Sequence, residues 1–249
     1  MVELNLSGKT VLVTGGTKGI GAVLVRTLLD CGAHVAAHYA SSKPAKGEKS
    51  NDRLHFIQSD LSKPEAATAL WNDAVAWRGR VDVLVNNAGL VAPTTIDEAI
   101  PEWLQMWQRT LDINLLSPAL LCRHAVHHFR EKRGGIVINI ASRAAFRGDD
   151  PHLMHYAASK GGLVALTRSI ARGYAKDGIL AYIVAPGFVR TERQEGVIAL
   201  RGEQMLRDIP LGEMARPEDI APTVAFLASG LARHATGTTI DINGASYVR

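Results

Sequence analysis

Short apolar runs alternate along this chain with longer segments in which apolar residues recur at helical spacing. Runs rich in Val, Ile and Leu are typical of strands buried on both faces, as in a parallel sheet covered by helices. The pattern predicts strands near residues 9–14, 34–39, 54–58, 81–86, 135–141, 179–184 and 238–242. It predicts helices near residues 19–31, 63–78, 101–131 (broken near its middle), 154–177 and 217–229. This alternation indicates the α/β class, with a doubly wound parallel sheet of about seven strands and helices on both faces.

The chain contains no linker, repeat or low-complexity tract, so we expect residues 1–249 to form a single domain. The polar stretch 41–52, rich in Ser, Lys and Gly, predicts an exposed loop after the second strand. Residues 187–212 carry four glycines and no predicted strand. This segment is a candidate mobile lid; an ordinary surface helix is the alternative, and the two are compatible.

Composition limits the classes of function. A hydrophobic content of 47% and a charged content of 21% are those of an ordinary soluble globular protein. The net charge is +4, but Lys and Arg are scattered, so we expect no nucleic-acid partner. No apolar run approaches a membrane span, and the start at Met1 lacks a signal-peptide pattern. Cys31 and Cys122 lack metal-site spacing, so we expect reduced thiols, no metal and a cytoplasmic location.

A glycine-rich turn follows the first predicted strand. Gly15, Gly19 and Gly21 occur in the pattern Thr-Gly-x-x-x-Gly-x-Gly, and a helical pattern comes next. Strand, glycine turn and helix together direct backbone N–H groups and the positive end of the helix dipole towards a pyrophosphate. Such a turn by itself is often only a tight turn. Its place at the first strand of an α/β pattern favours dinucleotide binding.

Tyr156 and Lys160 are four residues apart in the predicted helix 154–177. Positions i and i+4 share a helix face, so the ammonium can lie beside the phenol. A free tyrosine is too weak an acid for proton transfer at neutral pH, and a neighbouring positive charge favours its ionised form. The same spacing also occurs by chance on solvated helix faces, so the pair gains weight only from other motifs.

Those motifs are Asn86-Asn87-Ala88-Gly89 after the fourth strand, Asn114, Ser142 after the fifth strand, and Pro186-Gly187 followed by Thr191. In their order and spacing, residues 7–244 resemble the short-chain dehydrogenase/reductase family, most of all its 3-oxoacyl-acyl-carrier-protein reductase-like branch. The resemblance implies a Rossmann-like NAD(P)-binding domain. It also implies an oxidoreductase that interconverts a ketone and a secondary alcohol by hydride transfer.

The resemblance assigns four catalytic roles. Tyr156 would exchange a proton with the substrate oxygen. Lys160 would favour the ionised tyrosine and hydrogen-bond the nicotinamide ribose. Ser142 would hydrogen-bond the substrate oxygen, and Asn114 would hold the lysine through a water. The alternatives for single residues are a cap or turn at Ser142 and a turn within a broken helix at Asn114.

The second strand bears on cofactor choice. An acidic residue about 20 positions beyond the glycine turn normally binds the ribose 2′-hydroxyl of NAD. That position holds Tyr39, and Ser41, Ser42 and Lys43 follow, while Lys18 precedes the second loop glycine. Hydroxyls and lysines suit a 2′-phosphate, so we expect NADP, with NAD as the alternative. Lysines that are merely exposed are the other interpretation.

The resemblance carries over residue by residue. The residues expected to bind the cofactor are Gly15, Thr17, Lys18, Gly19, Ile20, Gly21, Tyr39, Ser41, Ser42, Asp60, Leu61, Asn87, Ala88, Gly89, Tyr156, Lys160, Pro186, Gly187, Val189 and Thr191. The residues expected to contact the substrate are Ser142, Ala144, His152, Tyr156, Gly187 and Phe188.

The substrate itself is less constrained. The segment 143–155 is polar and could receive a polar or anionic small molecule; a charged surface loop is the alternative. Of the two basic positions with which acyl-carrier reductases dock their carrier, the first holds Arg133 and the second Asp177, which argues against a carrier-bound substrate. His155 is expected to be a packing or surface residue.

Two further expectations concern class and assembly. A catalytically silent NADP-sensing protein of the same fold is an alternative, but it would be marked by loss of Tyr156 or Lys160, and both are present. Helices 101–131 and 154–177 are apolar on more than one face. In the family these helices pair across a twofold axis, which implies a homotetramer, with a dimer as the alternative.

Overall fold

Seven strands form one parallel sheet in the computed structural model, which describes residues 4–192 and 195–249. The strands are β1 (Thr10–Val13), β2 (His34–Tyr39), β3 (Leu54–Gln58), β4 (Val83–Asn86), β5 (Gly135–Ile140), β6 (Ile179–Pro186) and β7 (Thr239–Ile242). Their order in the sheet is β3-β2-β1-β4-β5-β6-β7, and every neighbouring pair is parallel. The order reverses between β1 and β4, which creates a crevice at the carboxyl ends of these strands.

Helices connect the strands and cover the sheet. They are α1 (Gly19–Asp30), α2 (Ala66–Arg78), α3 (Ile100–Leu111), α4 (Ser117–Glu131), α5 (Ala144–Arg147), α6 (Met154–Tyr174), α7 (Glu195–Arg207) and α8 (Pro217–Ser229). A π-helical turn, Asp112–Leu116, joins α3 to α4. No helix in the described ranges combines the length and hydropathy that a membrane crossing requires.

Two apolar layers form the core, one on each face of the sheet. Leu24 and Leu28 of α1 pack with Val224 of α8 on one face. Leu70 of α2 and Leu121 of α4 pack on the other face. Strands covered on both faces have to be apolar at consecutive positions, and β1, β4 and β6 are buried throughout. The predicted fold class, a Rossmann-like doubly wound sheet of seven strands, is confirmed.

The predicted elements agree closely with the structure, with a few local differences. The predicted helix 63–78 begins at Ala66, and the predicted helix 154–177 ends at Tyr174, followed by a 3-10 turn. The break expected within 101–131 is the π-helical turn. The candidate lid 187–212 contains helix α7, and its residues 193 and 194 lie outside the described ranges, as do residues 1–3. Short helix α5 was not predicted.

Both cysteines are free thiols. Cys31 is half-buried beside α1, whereas Cys122 is buried within α4. Burial raises the pKa of the Cys122 thiol to about 12, so this side chain is a neutral part of the core.

Candidate active site

A cleft of about 710 Å³ opens at the carboxyl ends of β1, β2 and β4, where the strand order reverses. Its volume is in the range of cofactor and ligand sites. It brings together the predicted cofactor residues Gly15, Thr17, Lys18, Gly19, Ile20, Gly21, Tyr39, Ser41, Ser42, Asp60, Leu61, Asn87, Ala88, Gly89 and Thr191. It is also lined by residues that the sequence analysis did not name: His38, Ala40, Ser62, Leu90, Ile113 and Glu192.

Five predicted cofactor residues lie outside this lining. Pro186, Gly187 and Val189 follow β6, and the Pro186 carbonyl accepts a hydrogen bond from the N–H of Arg143 at 3.0 Å. Tyr156 and Lys160 lie on α6. The two sets therefore form a second part of the site, next to the ends of β5 and β6.

The glycine turn has the backbone shape that its sequence predicts. Gly15 and Gly19 have φ angles of 66° and 52°, in the left-handed region that favours glycine. A Cβ atom on Gly21 would lie 1.9 Å from the Gly15 carbonyl oxygen. Helix α1 begins at Gly19, and its N-cap Lys18 provides no side-chain cap. The first N–H groups of α1 are thus available for an anion in the cleft, which fits a pyrophosphate.

His38 is hydrogen-bonded to the glycine turn. This side chain is 2% exposed; its Nδ1 accepts from the Gly15 N–H at 3.1 Å and its Nε2 donates to the Ser59 carbonyl at 2.9 Å. Burial lowers the pKa of His38, so the ring is the neutral tautomer that both bonds require. No distinct sequence signal marks this role, because β2 contains a second histidine, His34, as well as Tyr39.

The Asn86-Asn87-Ala88-Gly89 segment is also tied to the turn. Asn87 donates through Nδ2 to the carbonyls of Thr14 and Gly15, at 2.9 and 3.1 Å. The Thr14 hydroxyl accepts from the N–H groups of Asn87 and Ala88. These bonds fix the end of β4 against the end of β1, so the two walls of the cleft are held together.

The end of β2 presents hydroxyl groups to the cleft. Tyr39, Ser41 and Ser42 line it, and the Thr17 hydroxyl donates to the Ser42 carbonyl at 2.7 Å. Of the described lining residues, Asp60 and Glu192 carry carboxylates, and neither belongs to β2. Hydrogen bonds from the Ser62 hydroxyl and N–H lower the pKa of Asp60, which keeps it ionised.

Asn114 lies in the π-helical turn and is fully buried. Its Oδ1 accepts from the Leu90 N–H at 2.7 Å, while its Nδ2 donates to the Leu90 carbonyl and to the Ser159 hydroxyl. Ser159 in turn donates to the carbonyl of Tyr156 at 2.7 Å. A π turn adds one residue to a helix turn and is frequent at functional sites. Here it places the Asn114 side chain within hydrogen-bond distance of Ser159, which is itself bonded to the Tyr156 carbonyl.

Lys160 is a buried cation, only 3% exposed. Its Nζ donates to the Ile140 carbonyl at 2.8 Å and lies 6.0 Å from the centre of the Tyr156 ring. Burial lowers the pKa of Lys160 to about 8. A Cβ atom on Gly89 would lie 3.6 Å from both Lys160 Nζ and Asn114 Oδ1. The lysine and the asparagine thus border the same residue of the cleft wall.

Ser142 follows β5 directly and is nearly buried. Its Oγ accepts from the N–H of Ala144 at 3.1 Å, which orients the hydroxyl at the start of α5. Lys160 is bonded to Ile140, two residues earlier on the same strand. The structure therefore brings Ser142, Asn114, Tyr156 and Lys160 to one end of the sheet, as the sequence predicted for a common site.

The predicted substrate residues differ in accessibility. Ala144 is buried, Phe188 is half-buried and His152 is exposed. Gly187 packs so closely on Asn243 that an added Cβ would lie 2.8 Å from the Asn243 Cβ. His155 is buried against Trp107 and donates to the Ala92 carbonyl, so it is the packing residue that was expected.

Asp177, at the second of the two positions that the resemblance assigns to carrier docking, forms an ion pair with Arg130 at 3.3 Å. Arg133 is exposed on the neighbouring loop, with a left-handed φ of 62°. A carrier surface would therefore meet mixed charge here, rather than the two cations expected of a docking site for an acidic protein.

Comparison with known proteins gives consistent matches over nearly the whole chain. A family model described as Enoyl-(Acyl carrier protein) reductase matches residues 15–245. The 3beta-hydroxysteroid dehydrogenase 1 of Eggerthella lenta is 36% identical, with 96% of this chain and 94% of that protein covered. The 3-oxoacyl-[acyl-carrier-protein] reductases FabG of Staphylococcus aureus and Rickettsia felis are each 35% identical. Those matches cover 96% and 97% of this chain, and 98% of each relative.

Proposed function

The chain belongs to the short-chain dehydrogenase/reductase family, and we propose that it is an NADP(H)-dependent enzyme that interconverts a ketone and a secondary alcohol. The names of its relatives, a hydroxysteroid dehydrogenase and 3-oxoacyl reductases, share this chemistry. An oxidoreductase of CH–OH and ketone groups is thus the family-level function. The cofactor preference and the residue roles below are our proposal.

The pair formed by buried Lys160 and half-buried Tyr156, next to the cleft residue Gly89, is the observation that carries the proposal. A cation held in the core near a phenol favours the phenolate. The phenol can then give a proton to a carbonyl oxygen, and the phenolate can take one from an alcohol. Lys160 Nζ is fixed by Ile140, and the turn of α6 that carries Tyr156 is fixed through Ser159 to Asn114. The proton donor is therefore held in place before substrate binds.

Ser142 would donate a hydrogen bond to the substrate oxygen that reacts. Its Oγ already accepts from Ala144, so the hydroxyl hydrogen is available to donate to a substrate oxygen. Such a donor stabilises negative charge that develops on the oxygen during hydride addition. Asn114 positions α6 through Ser159 and borders Gly89 opposite Lys160. We assign Asn114 a positioning role and a share in proton relay.

The cleft fits a nicotinamide dinucleotide on three observations: the left-handed glycines, the uncapped start of α1 and the absence of room for a side chain at Gly21. When bound, NADP supplies or accepts the hydride. Tyr39, Ser41, Ser42 and Lys18 surround the region after β2 without a β2 carboxylate, which suits a 2′-phosphate. Asp60 would lie near the adenine.

The experiment that tests the proposal is a turnover assay of the purified protein with NADPH and with NADH against a panel of ketones, followed by cofactor absorbance. We expect turnover with NADPH and a preference for it over NADH. Tyr156→Phe removes the proton donor alone, so we expect turnover to fall at least about 100-fold while NADPH still binds with nearly unchanged affinity.

Retention of a large part of the activity by Tyr156→Phe would contradict the catalytic assignment. NADPH binding without turnover of any ketone by the wild type would favour the alternative of a cofactor-sensing protein. A preference for NADH would favour an NAD-dependent dehydrogenase. The expected cytoplasmic location and the single domain remain predictions of the sequence.

A further inference from the structure

Arg143, the residue after Ser142, is a buried cation whose two terminal nitrogens, Nη1 and Nη2, lack hydrogen-bond partners among the described residues. It is 4% exposed. Arginine is charged at every physiological pH and carries five N–H donors. Buried charges in proteins are normally paired, since an unpaired one is strongly unfavourable. An unpaired guanidinium at this depth therefore requires an explanation.

Arg143 is linked to the predicted substrate region by its backbone and by its side chain. The backbone N–H of Arg143 donates to the Pro186 carbonyl, which joins the ends of β5 and β6. Its Cζ atom lies over the ring of Phe188, 4.2 Å from the ring centre. Ser142, the preceding residue in the chain, and Phe188, which the guanidinium contacts, are both residues expected to contact the substrate. The cation therefore lies against one residue of the predicted substrate region and follows another in the chain.

The charged groups around Arg143 do not neutralise it. Burial and the nearby Arg147 lower the pKa of Arg143, while Asp149 and Asp208 raise it more weakly. Asp208 is exposed at the end of α7, and Asp149 is half-buried. Neither carboxylate accepts a hydrogen bond from the terminal nitrogens. Since the pKa of a free guanidinium is above about 12, Arg143 remains a cation.

We propose that Arg143 binds a carboxylate on the substrate, so that the enzyme acts on oxo acids and the corresponding hydroxy acids. The guanidinium lies against the Phe188 ring, and its buried terminal nitrogens Nη1 and Nη2 lack hydrogen-bond partners among the described residues, so a planar, bidentate acceptor would satisfy both. A carboxylate has that geometry and supplies the missing charge. This inference rests on the proposed ketone–alcohol activity and adds the substrate class to it.

The position of Arg143 gives it a role in substrate selection that is distinct from the reaction at the carbonyl group. Ser142 and Tyr156 act on the carbonyl oxygen that reacts, whereas Arg143 would hold a second group of the same molecule. A charge held at a fixed distance from Ser142 selects oxo acids in which the ketone and the carboxylate are a matching number of carbons apart. Binding energy from that remote group would orient the ketone for hydride transfer.

The test measures kcat/KM for oxo acids against their neutral esters. Probes are 3-oxobutanoate, 4-oxopentanoate and 5-oxohexanoate, each compared with its ethyl ester, with NADPH as the reductant. For wild-type protein we expect at least one acid to be preferred over its ester. Arg143→Met keeps an apolar contact with Phe188 but removes the cation, and we expect the acid-to-ester ratio to fall by about 10- to 100-fold, mainly through KM.

Arg147→Met is the matched control, because Arg147 is a nearby exposed cation. Loss of general positive charge would affect both variants, so the same fall in Arg147→Met would overturn the proposal. Arg143→Lys is the second variant in case Arg143→Met folds poorly: it keeps the charge but loses the planar fork, and we expect an intermediate ratio. An unchanged acid-to-ester ratio in either Arg143 variant would overturn the proposal.

A binding measurement separates this inference from the proposed function. In the presence of NADP, the wild-type protein should be stabilised against heat by a saturating concentration of the hydroxy acid that corresponds to its preferred oxo acid. Arg143→Met should lose most of that shift and Arg143→Lys part of it. Turnover of the esters without any preference for the acids would disprove the role of Arg143 and leave the ketone reductase intact. Absence of turnover with every probe, together with no thermal shift by the hydroxy acid, would count against both.

Discussion

Lys160 shows at the level of a single residue how a functional group can reduce stability. It is 3% exposed, and its burial lowers its pKa from 10.5 to about 8. The unfolded chain therefore holds the proton more tightly than the folded protein does. This difference costs the folded state about 3 kcal/mol at neutral pH, since each pKa unit corresponds to about 1.4 kcal/mol.

We predict that Lys160→Met abolishes turnover and, without cofactor, stabilises the protein at pH 7 by up to about 3 kcal/mol. The wild-type lysine is charged in both states below pH 8 and neutral in both above about 10.5. Stability of the wild type should therefore rise relative to the variant as pH increases from 8 towards 10.5.

Thermal midpoints of the two proteins at one concentration, measured between pH 7 and 10, check this expectation. The predicted advantage of the variant is largest at pH 7 and shrinks above pH 8. A difference that is constant across this range would mean that the burial of the charge does not set the stability of this site.

Tyr39 at the end of β2 determines which cofactor is preferred, according to the proposed function. We predict that Tyr39→Asp shifts the ratio of kcat/KM values from NADPH towards NADH by about 10-fold or more, because the carboxylate accepts from a ribose hydroxyl and repels a 2′-phosphate. Steady-state kinetics with both cofactors measure the ratio. Tyr39→Asn is the uncharged control and should shift this ratio less. An unchanged preference in Tyr39→Asp would mean that the end of β2 does not contact the adenosine ribose of the cofactor.

The same scale shows what a sequence can and cannot reveal. The grouping of Asn114, Ser142, Tyr156 and Lys160 was predicted from the order and spacing of motifs that resemble those of the family, and the structure places all four at one end of the sheet. The role of His38 and the unpaired state of Arg143 could not be predicted. Their importance depends on which backbone groups and rings the fold brings next to them, and hydrophobic periodicity contains no information about such long-range contacts.

The glycine turn is the element on which cofactor binding depends most directly. A Cβ atom on Gly21 would lie 1.9 Å from the Gly15 carbonyl oxygen and 2.7 Å from Asn87 Nδ2. We predict that Gly21→Ala displaces the turn, lowers the affinity for NADPH at least about 10-fold and reduces the thermal midpoint. Titration of NADPH fluorescence and thermal melting measure the two effects.

Gly173→Ala in α6 is the matched control. Gly173 is exposed, and an added Cβ there would have no heavy atom within 4 Å. The substitution should therefore stabilise the helix by about 0.5 kcal/mol and leave NADPH affinity unchanged. If Gly21→Ala bound NADPH as tightly as Gly173→Ala, the close contact at the turn would not be a requirement for binding.

Strands and helices differed in how well the sequence predicted them. Strands β1, β4 and β6 were predicted because each is an apolar run buried throughout. The edge strands β3 and β7 are partly exposed and were predicted from the apolar residues that they also contain. The π turn at Asp112–Leu116 was recognised only as a break, since its extra residue is set by the hydrogen bonds of Asn114 with Leu90 and Ser159. Helix α7 is largely exposed and was left as an alternative, because few of its residues are buried in a way that a pattern would show.

For the whole molecule, we predict a homotetramer. Several apolar residues of α4 and α6 are buried within the subunit, including Leu121, Phe129 and Leu163. Leu104 and Leu116, however, remain 53% and 43% exposed on the α3–α4 segment. Exposed apolar side chains on consecutive helices mark a contact surface, and closed symmetry allows two copies to cover it mutually. Light scattering after gel filtration at micromolar concentration should give four times the mass of 26.8 kDa.

Leu104→Glu combined with Leu116→Glu should reduce that mass, because charges would have to be buried between subunits. Leu200→Glu on α7 is the control: Leu200 is 87% exposed and lies outside this surface, so its variant should keep the wild-type mass. A clean monomer for the wild-type protein would disprove the assembly and leave the exposed leucines unexplained.

The strand order has a consequence for synthesis on the ribosome. Strand β1 pairs with β2 on one side and with β4 on the other, and β4 begins at Val83, 70 residues after β1 ends at Val13. Translation delivers β1, β2 and β3 first, so a nascent chain can join these three strands while one side of β1 stays open. Unpaired apolar strand edges attract other chains. Until β4 emerges, the future centre of the sheet is its most aggregation-prone edge.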